Sequence, residues 1–253
     1  MGDQKVFRAV IRFICAVSIC FAGGVSADPS SKFSLGAAYI NGNSIYTGVG
    51  STSRFMPSIA YENDKVKIDF REGVSYKFID TQTFGMRAAI APNFRPYKSA
   101  DSTSLSGMDR KMTFDGVITG SFDIVRGSTL KLKMAREVTN EFNGTLVDLA
   151  FSQFIPIGGQ PVIVSLGSKN YDSKRAEYFF GVKPSEATGS RAAYAPGAAA
   201  ITYLSVNTFF NITSNIGAFA NITTNLLPSK IKDSPSVSKS SNTAAILGVA
   251  YNF

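Results

Sequence analysis

Charged side chains in this chain recur at every second position, with apolar residues between them. Lys67, Asp69 and Arg71 alternate with Val66, Ile68 and Phe70. Arg87 lies between Met86 and Ala88, and Asp115 follows Phe114. Lys131 and Lys133 interleave with Leu130, Leu132 and Met134, and Asp148 separates Val147 from Leu149. On a β-strand this spacing sends the charges to one face and the apolar side chains to the other. Inside a barrel such a charged face has two uses. The groups can pair with one another and fill a narrow interior, or an excess of basic groups can make an aqueous lumen favour anions.

The same inventory serves catalysis poorly. The chain has no histidine, which removes Ser-His-Asp triads, imidazole bases and imidazole metal ligands together. Both cysteines, Cys15 and Cys20, precede residue 28. Aspartates and glutamates are scattered singly, with no pair at catalytic spacing. We therefore expect no catalytic, metal-binding or cofactor-binding residues, no cofactor, and a protein that is not an enzyme.

The elements that would position these charges read as short strands throughout. Phe33, Leu35, Ala37 and Tyr39 share one face, and Phe55, Pro57, Ile59 and Tyr61 follow. Asn63-Asp64, Arg126-Gly127 and Gly158-Gly159 mark tight turns. The stripe of Val66, Ile68 and Phe70 continues through Val74, Tyr76 and Phe78, with Glu72 interrupting it. A charge facing lipid there would cost roughly 1–3 kcal/mol, so a bulge or strand break is expected near Glu72-Gly73. The stretch 99–109 reads as a loop, and so do 171–196 and 228–241. The spans 198–209 and 216–226 read as further strands. About eleven candidates result, and a barrel with both ends in the periplasm needs an even number. We expect twelve strands, with ten as the alternative.

The two ends of the chain bear on which face is outside. Lys5, Arg8 and Arg12 precede an apolar run from Phe13 to Ala22, followed by Gly23-Gly24 and Val25-Ser26-Ala27. This is the layout of a secretory signal peptide cleaved between Ala27 and Asp28, leaving residues 28–253 as one β-barrel domain. At the other end Ala245, Leu247, Val249, Tyr251 and Phe253 fall on one strand face, and the chain stops at that phenylalanine. Tyr251 and Phe253 then supply an interfacial aromatic and a C-terminal assembly signal. A soluble lipocalin-like barrel would turn its apolar face inward. An exported chain ending on an apolar strand is instead expected to be a transmembrane antiparallel β-barrel in the outer membrane of a Gram-negative bacterium. The formal charge of +8 is not gathered into a basic helix or long cluster. Outer-membrane lipid and anionic lipopolysaccharide are therefore expected partners, and nucleic acid is not.

The second half carries a recognisable order of short motifs. Tyr178-Phe179-Phe180-Gly181-Val182 is followed by Tyr194 to Gly197, by Asp233-Ser234-Pro235, and by Gly248-x-x-Tyr251-x-Phe253. With Phe55-Met56-Pro57 and Tyr61 upstream, these resemble the MipA/OmpV family from about Phe33 to Phe253. The chain departs from the family pattern at Ile45-Tyr46-Thr47-Gly48-Val49 and at Ala199. The resemblance implies an outer-membrane barrel with a structural or scaffold role, and contact with murein-synthesis or murein-hydrolysing proteins. The alternative from the residues is a small porin-like diffusion channel with a mildly basic lumen. The loops after Tyr171 and after Leu227 are the expected binding surfaces.

Overall fold

The computed structural model describes residues 31–253. The expected signal segment, with its cleavage site at Ala27 and Asp28, lies outside them. Twelve antiparallel strands close into a barrel, each paired with its chain neighbours and the last with the first. They are β1 (Lys32–Asn43), β2 (Ser51–Glu62), β3 (Val66–Asp69), β4 (Gly73–Asp80), β5 (Phe84–Asn93) and β6 (Thr113–Val125), then β7 (Ser128–Glu137), β8 (Thr145–Ile157), β9 (Gln160–Tyr171), β10 (Ala199–Asn211), β11 (Ile216–Leu226) and β12 (Ser241–Asn252). No described helix is long and apolar enough to cross a membrane; the crossing is by strands, whose backbone groups are paired around the wall.

The two-residue period resolves as a lipid face and a lumen face. Leu130, Leu132 and Met134 on β7, and Val147, Leu149 and Phe151 on β8, are exposed outward. Leu247, Val249, Tyr251 and Phe253 continue this surface on the closing strand. Opposite them, Gly248 lies under the Phe219 ring, where a Cβ would come within 2.2 Å of the ring. Gly167 makes the same clearance for Tyr203. Interior aromatics are thus accommodated by glycine on the neighbouring strand.

The expected interruption at Glu72 is a complete strand break, which brings the strand number to twelve. β3 ends at Asp69, β4 begins at Gly73, and Gly73 takes a left-handed φ of +77°. The Asp69 carboxylate accepts from the N–H groups of Arg71 and Glu72 at 2.8 and 2.6 Å, forming the turn. Glu72 does not face lipid; it pairs with Lys67 at 2.9 Å. The register irregularity falls later, between Lys77 and Ile79.

The long connections all lie at one end of the barrel, and every short turn but the β3–β4 turn at 70–72 lies at the other, with Lys32 and Phe253 at that turn end. Bacterial barrels put short turns in the periplasm and long loops outside. Two of the expected irregular loops contain helices. Residues 173–180 form α1 (Ser173–Phe180), begun by the Asp172 carboxylate accepting from the Arg175 N–H. Residues 229–232 form α2 (Ser229–Lys232).

Candidate functional site: a basic lumen under a loop cap

Strand register gathers the charged residues into one belt. Direct cross-strand partners run Lys77–Arg87, Arg87–Thr119, Thr119–Lys133, Lys133–Asp148 and Asp148–Lys169. A belt with one carboxylate among four cations cannot neutralise itself. The belt borders a cavity of about 540 Å³ that also takes in Lys67, Arg71, Glu72, Asp80, Lys131, Asp115 and Arg175. Of the lumen charges expected from the sequence, Lys67, Arg71, Arg87, Asp115, Lys131, Lys133 and Asp148 border this cavity. Asp69 instead serves the β3–β4 turn and meets Lys67 at 3.2 Å.

Acidic groups in the cavity are committed to particular partners. Asp80 holds Lys77 at 2.7 Å. Asp115 takes both terminal nitrogens of Arg175, at 3.2 and 2.6 Å. Asp148 accepts from the Tyr203 hydroxyl at 3.1 Å, and the Lys169 ammonium lies 4.7 Å from that ring's centre. Arg71, Arg87, Lys131 and Lys133 have no ion pair within 4 Å among the described residues. Arg175 Nε and Asn93 Nδ2 are buried donors without a hydrogen-bond partner among the described residues. The lumen thus presents spare positive charge and spare donors, which suits anionic groups.

Above the cavity the long loops fold together into a cap. Ile45, Tyr46, Tyr97, Leu105, Met108, Phe180, Val182, Leu227, Ile231 and Val237 form one buried apolar cluster drawn from four loops. The motif residues meet inside it. Ser234 and Ser236 both donate to the Phe180 carbonyl, at 2.5 and 3.1 Å. Thr47 Oγ1 donates to the Pro235 carbonyl at 3.1 Å. Val182 pairs with Tyr194, and Gly181 has no room for a side chain, since a Cβ would be 2.5 Å from the Glu177 carbonyl. Phe142 stacks on Tyr178 at 4.3 Å and meets Phe179 edge-on. Asp233 closes α2 through its backbone N–H. Of the two loops expected as binding surfaces, the segments around 178–182 and 231–237 pack against one another, while 183–190 stays mostly exposed.

Four residues that hold this cap had no signal in the sequence: Arg110, Glu137, Arg175 and Glu186. Arg110 is 2 % exposed. It donates to Glu186 at 2.7 and 3.1 Å, to the Tyr178 carbonyl at 2.5 Å and to the Gly181 carbonyl at 3.3 Å. Burial alone would raise the Glu186 carboxyl, but the hydrogen bond from Arg110 and the Lys183 N–H hold it below its ordinary value. Tyr97, whose hydroxyl is buried without a partner among the described residues, is pushed up to about 12 by burial. Glu137 accepts from the N–H groups of Thr139, Glu141, Phe142 and Asn143 and so shapes the β7–β8 loop. Arg175 hangs from α1 between Phe142, Tyr171 and Phe179, each 5.6–5.7 Å away, and reaches Asp115 on the wall. Lone charges in polar loops carry no periodicity.

Comparison with known proteins places this architecture. A family model described as MltA-interacting protein MipA matches residues 35–253. A putative outer membrane protein YiaT of Escherichia coli strain K12 is 23 % identical over 229 residues, covering 88 % of this chain and 92 % of that protein. The MltA-interacting protein of the same strain is 27 % identical over 241 residues, covering 94 % and 96 %. Among solved structures, a KdgM porin aligns with a TM-score of 0.40 and 10 % identity, over 87 % of this chain and 99 % of that one.

Proposed function

Because the chain belongs to the MltA-interacting protein MipA family, we propose that it is a closed structural barrel of the outer membrane, a scaffold and not an open pore. One observation carries this reading: the apolar cluster of the loops lies at the mouth opposite the short turns. Ions entering from outside would have to pass this cluster of buried apolar side chains, which oppose the desolvation of a charge. The partner side of the scaffold is the periplasm. A relative is named for interaction with MltA, and the family resemblance ties that contact to murein processing. The turns at that end are short, so a partner would engage the barrel rim and the mouth of the basic cavity. Lipid and lipopolysaccharide surround the outward apolar face. The chain reaches this place as residues 28–253, after loss of the segment ending at Ala27.

Two measurements test the reading. Planar-bilayer recordings of the purified protein should give no stepwise conductance, and regular anion-selective steps would replace the scaffold with the channel alternative. Crosslinking in intact cells followed by pull-down should recover a murein-synthesis or murein-hydrolysing protein. Recovery of outer-membrane lipid alone would remove the murein link.

A further inference from the structure

The barrel wall is incomplete on one side. β3 has only 4 residues and pairs with β2 only from Ala60 to Glu62. Above that, β2 continues through nine more residues, Ser51 to Ile59, which pair with β1 on one side and with no described strand on the other. β4 reaches no higher than Gly73. Beyond the hairpin tip at 70–72, the strand facing β2 across the gap is β5, three strand spacings or roughly 14 Å away. Burial records the opening independently. Along β2 the alternation is lost, and Ser51, Thr52, Ser53, Arg54 and Phe55 are all exposed, so both faces are open there. The β5–β6 loop crosses the top, where Tyr97 meets Tyr46 at 4.5 Å between ring centres.

An unpaired strand edge at membrane depth is tolerated only where protein covers it or where it lines a watery space. The surroundings of this window say which chemistry it suits. Its outer rim is aromatic: Phe55 is 79 % exposed beside Tyr39, and Phe70 at the tip stacks on Phe94 at 5.3 Å. Its inner side is basic. Arg71 at the tip borders the lumen cavity, as do Pro92 and Asn93 across the gap, and the Arg71 guanidinium has no hydrogen-bond partner among the described residues. Arg54 shares the lumen face of β2, since it pairs with Ile40 on β1.

We propose that this window between β2 and β5 is a lateral port, through which an amphiphile with an anionic headgroup and an alkyl tail enters from the outer leaflet. The headgroup meets Arg71 and Arg54 and the spare donors of the lumen; the tail stays among Phe55, Phe70 and Phe94 in the lipid. Guanidinium groups suit such a headgroup because they form paired, charge-assisted hydrogen bonds with phosphate or carboxylate. This goes beyond the scaffold reading and does not depend on it: the cap closes the mouth, whereas the port opens the wall.

The test uses the protein purified from outer membranes and placed in phosphatidylcholine nanodiscs. The probe is a dodecyl phosphate carrying a photoactivatable diazirine in its tail. Labelling should concentrate in peptides holding residues 51–59, 68–74 and 94. Arg71→Gln and Arg54→Gln should together reduce it at least tenfold, while the heat-modifiable gel band shows that the barrel is intact. Unlabelled dodecyl phosphate should compete, and equal concentrations of inorganic phosphate or neutral dodecyl maltoside should not. Labelling spread evenly round the belt, including the Leu132 and Leu149 peptides, would overturn the port. Equal competition by inorganic phosphate would do so too, placing the anion in the lumen without passage through the wall. A disulfide-linked dimer of Ser53→Cys would give the β2 edge to a second copy of the chain, and the proposal would fall.

Discussion

The cap and the lumen handle charge in opposite ways, although only a few residues separate them. In the cap, Arg110 and Glu186 are almost fully enclosed and meet through two hydrogen bonds, with backbone carbonyls taking the remaining guanidinium donors. In the lumen, Arg87, Lys131 and Lys133 stand without an ion pair within 4 Å among the described residues, and the belt holds more cations than anions. Two side chains join these regimes: Arg175 descends from α1 to Asp115, while Glu137 at the end of β7 organises the loop above it. Folded loops have no water to spare for a charge, so each must be matched within the protein. A wet lumen hydrates its charges, and leaves them available for a ligand.

The largest expected effect breaks the cap side of this comparison. Arg110→Ala leaves Glu186 enclosed without its partner, and breaking a buried pair in this way costs about 3–5 kcal/mol. Limited proteolysis should then cut within 94–112 and 183–198, while the barrel itself still shows a heat-modifiable band. The double variant Arg110→Met, Glu186→Leu should recover much of the protection, because neither charge is left alone. Equal damage in the single and double variants would show that the carbonyl contacts of Arg110, and not the pair, hold the loops.

The next effect concerns the wall that separates lumen from lipid. Leu132→Lys and Leu149→Lys place an ammonium on the outward face and should each cost roughly 2–4 kcal/mol, seen as a fall in assembled protein. Lys131→Leu should be milder, since it removes a charge from a belt already in excess. Single cysteines offer a second measure. At position 132 or 149 a thiol should resist a water-soluble maleimide, and at 131 or 133 it should react. A reversed pattern would invert the two faces. Deleting Phe253, which packs against Phe33 at 5.5 Å and Tyr251 at 4.8 Å, should reduce assembly by a smaller margin, measured on the same gels.

Legibility in the sequence followed the same division. The wall could be read because membrane and lumen impose a two-residue alternation on every strand. Lys131, Lys133 and Leu132 therefore announced their faces, and the disagreement at Glu72 located the break that brings the strands to twelve. The window was not legible, because it depends on how far β2 extends past β3, and strand length beyond a partner leaves no periodic mark. The cap was legible only in fragments. Phe180 and Ser234 belong to short motifs, but that the Ser234 hydroxyl reaches the Phe180 carbonyl is a fact of tertiary packing. Arg110 and Glu186 looked like ordinary loop charges, separated by 76 positions with nothing to connect them.

The smallest effect is one of pH, and it sharpens the contrast without removing a side chain. Burial works against the Glu186 carboxylate, yet Arg110 and the Lys183 N–H hold its pKa below the ordinary value of about 4.5. A carboxyl whose folded pKa is depressed stabilises the fold above its unfolded pKa, and that contribution is lost as the pH falls through the folded value. Between neutrality and pH 5 the cap should therefore be unchanged. Below about pH 4.5 its amides should exchange progressively faster, relative to those of the wall strands measured in the same sample. Hydrogen–deuterium exchange of peptides from 103–111 and 183–191 reads this directly. Glu186→Gln should show the faster exchange already at pH 7 and little further change on acidification. If wild type and Glu186→Gln respond identically to acid, the pH sensitivity of the cap belongs to another carboxylate. Glu137 would then be the first to test, since it holds the β7–β8 loop through backbone N–H groups and the Thr139 hydroxyl, with no basic partner among the described residues.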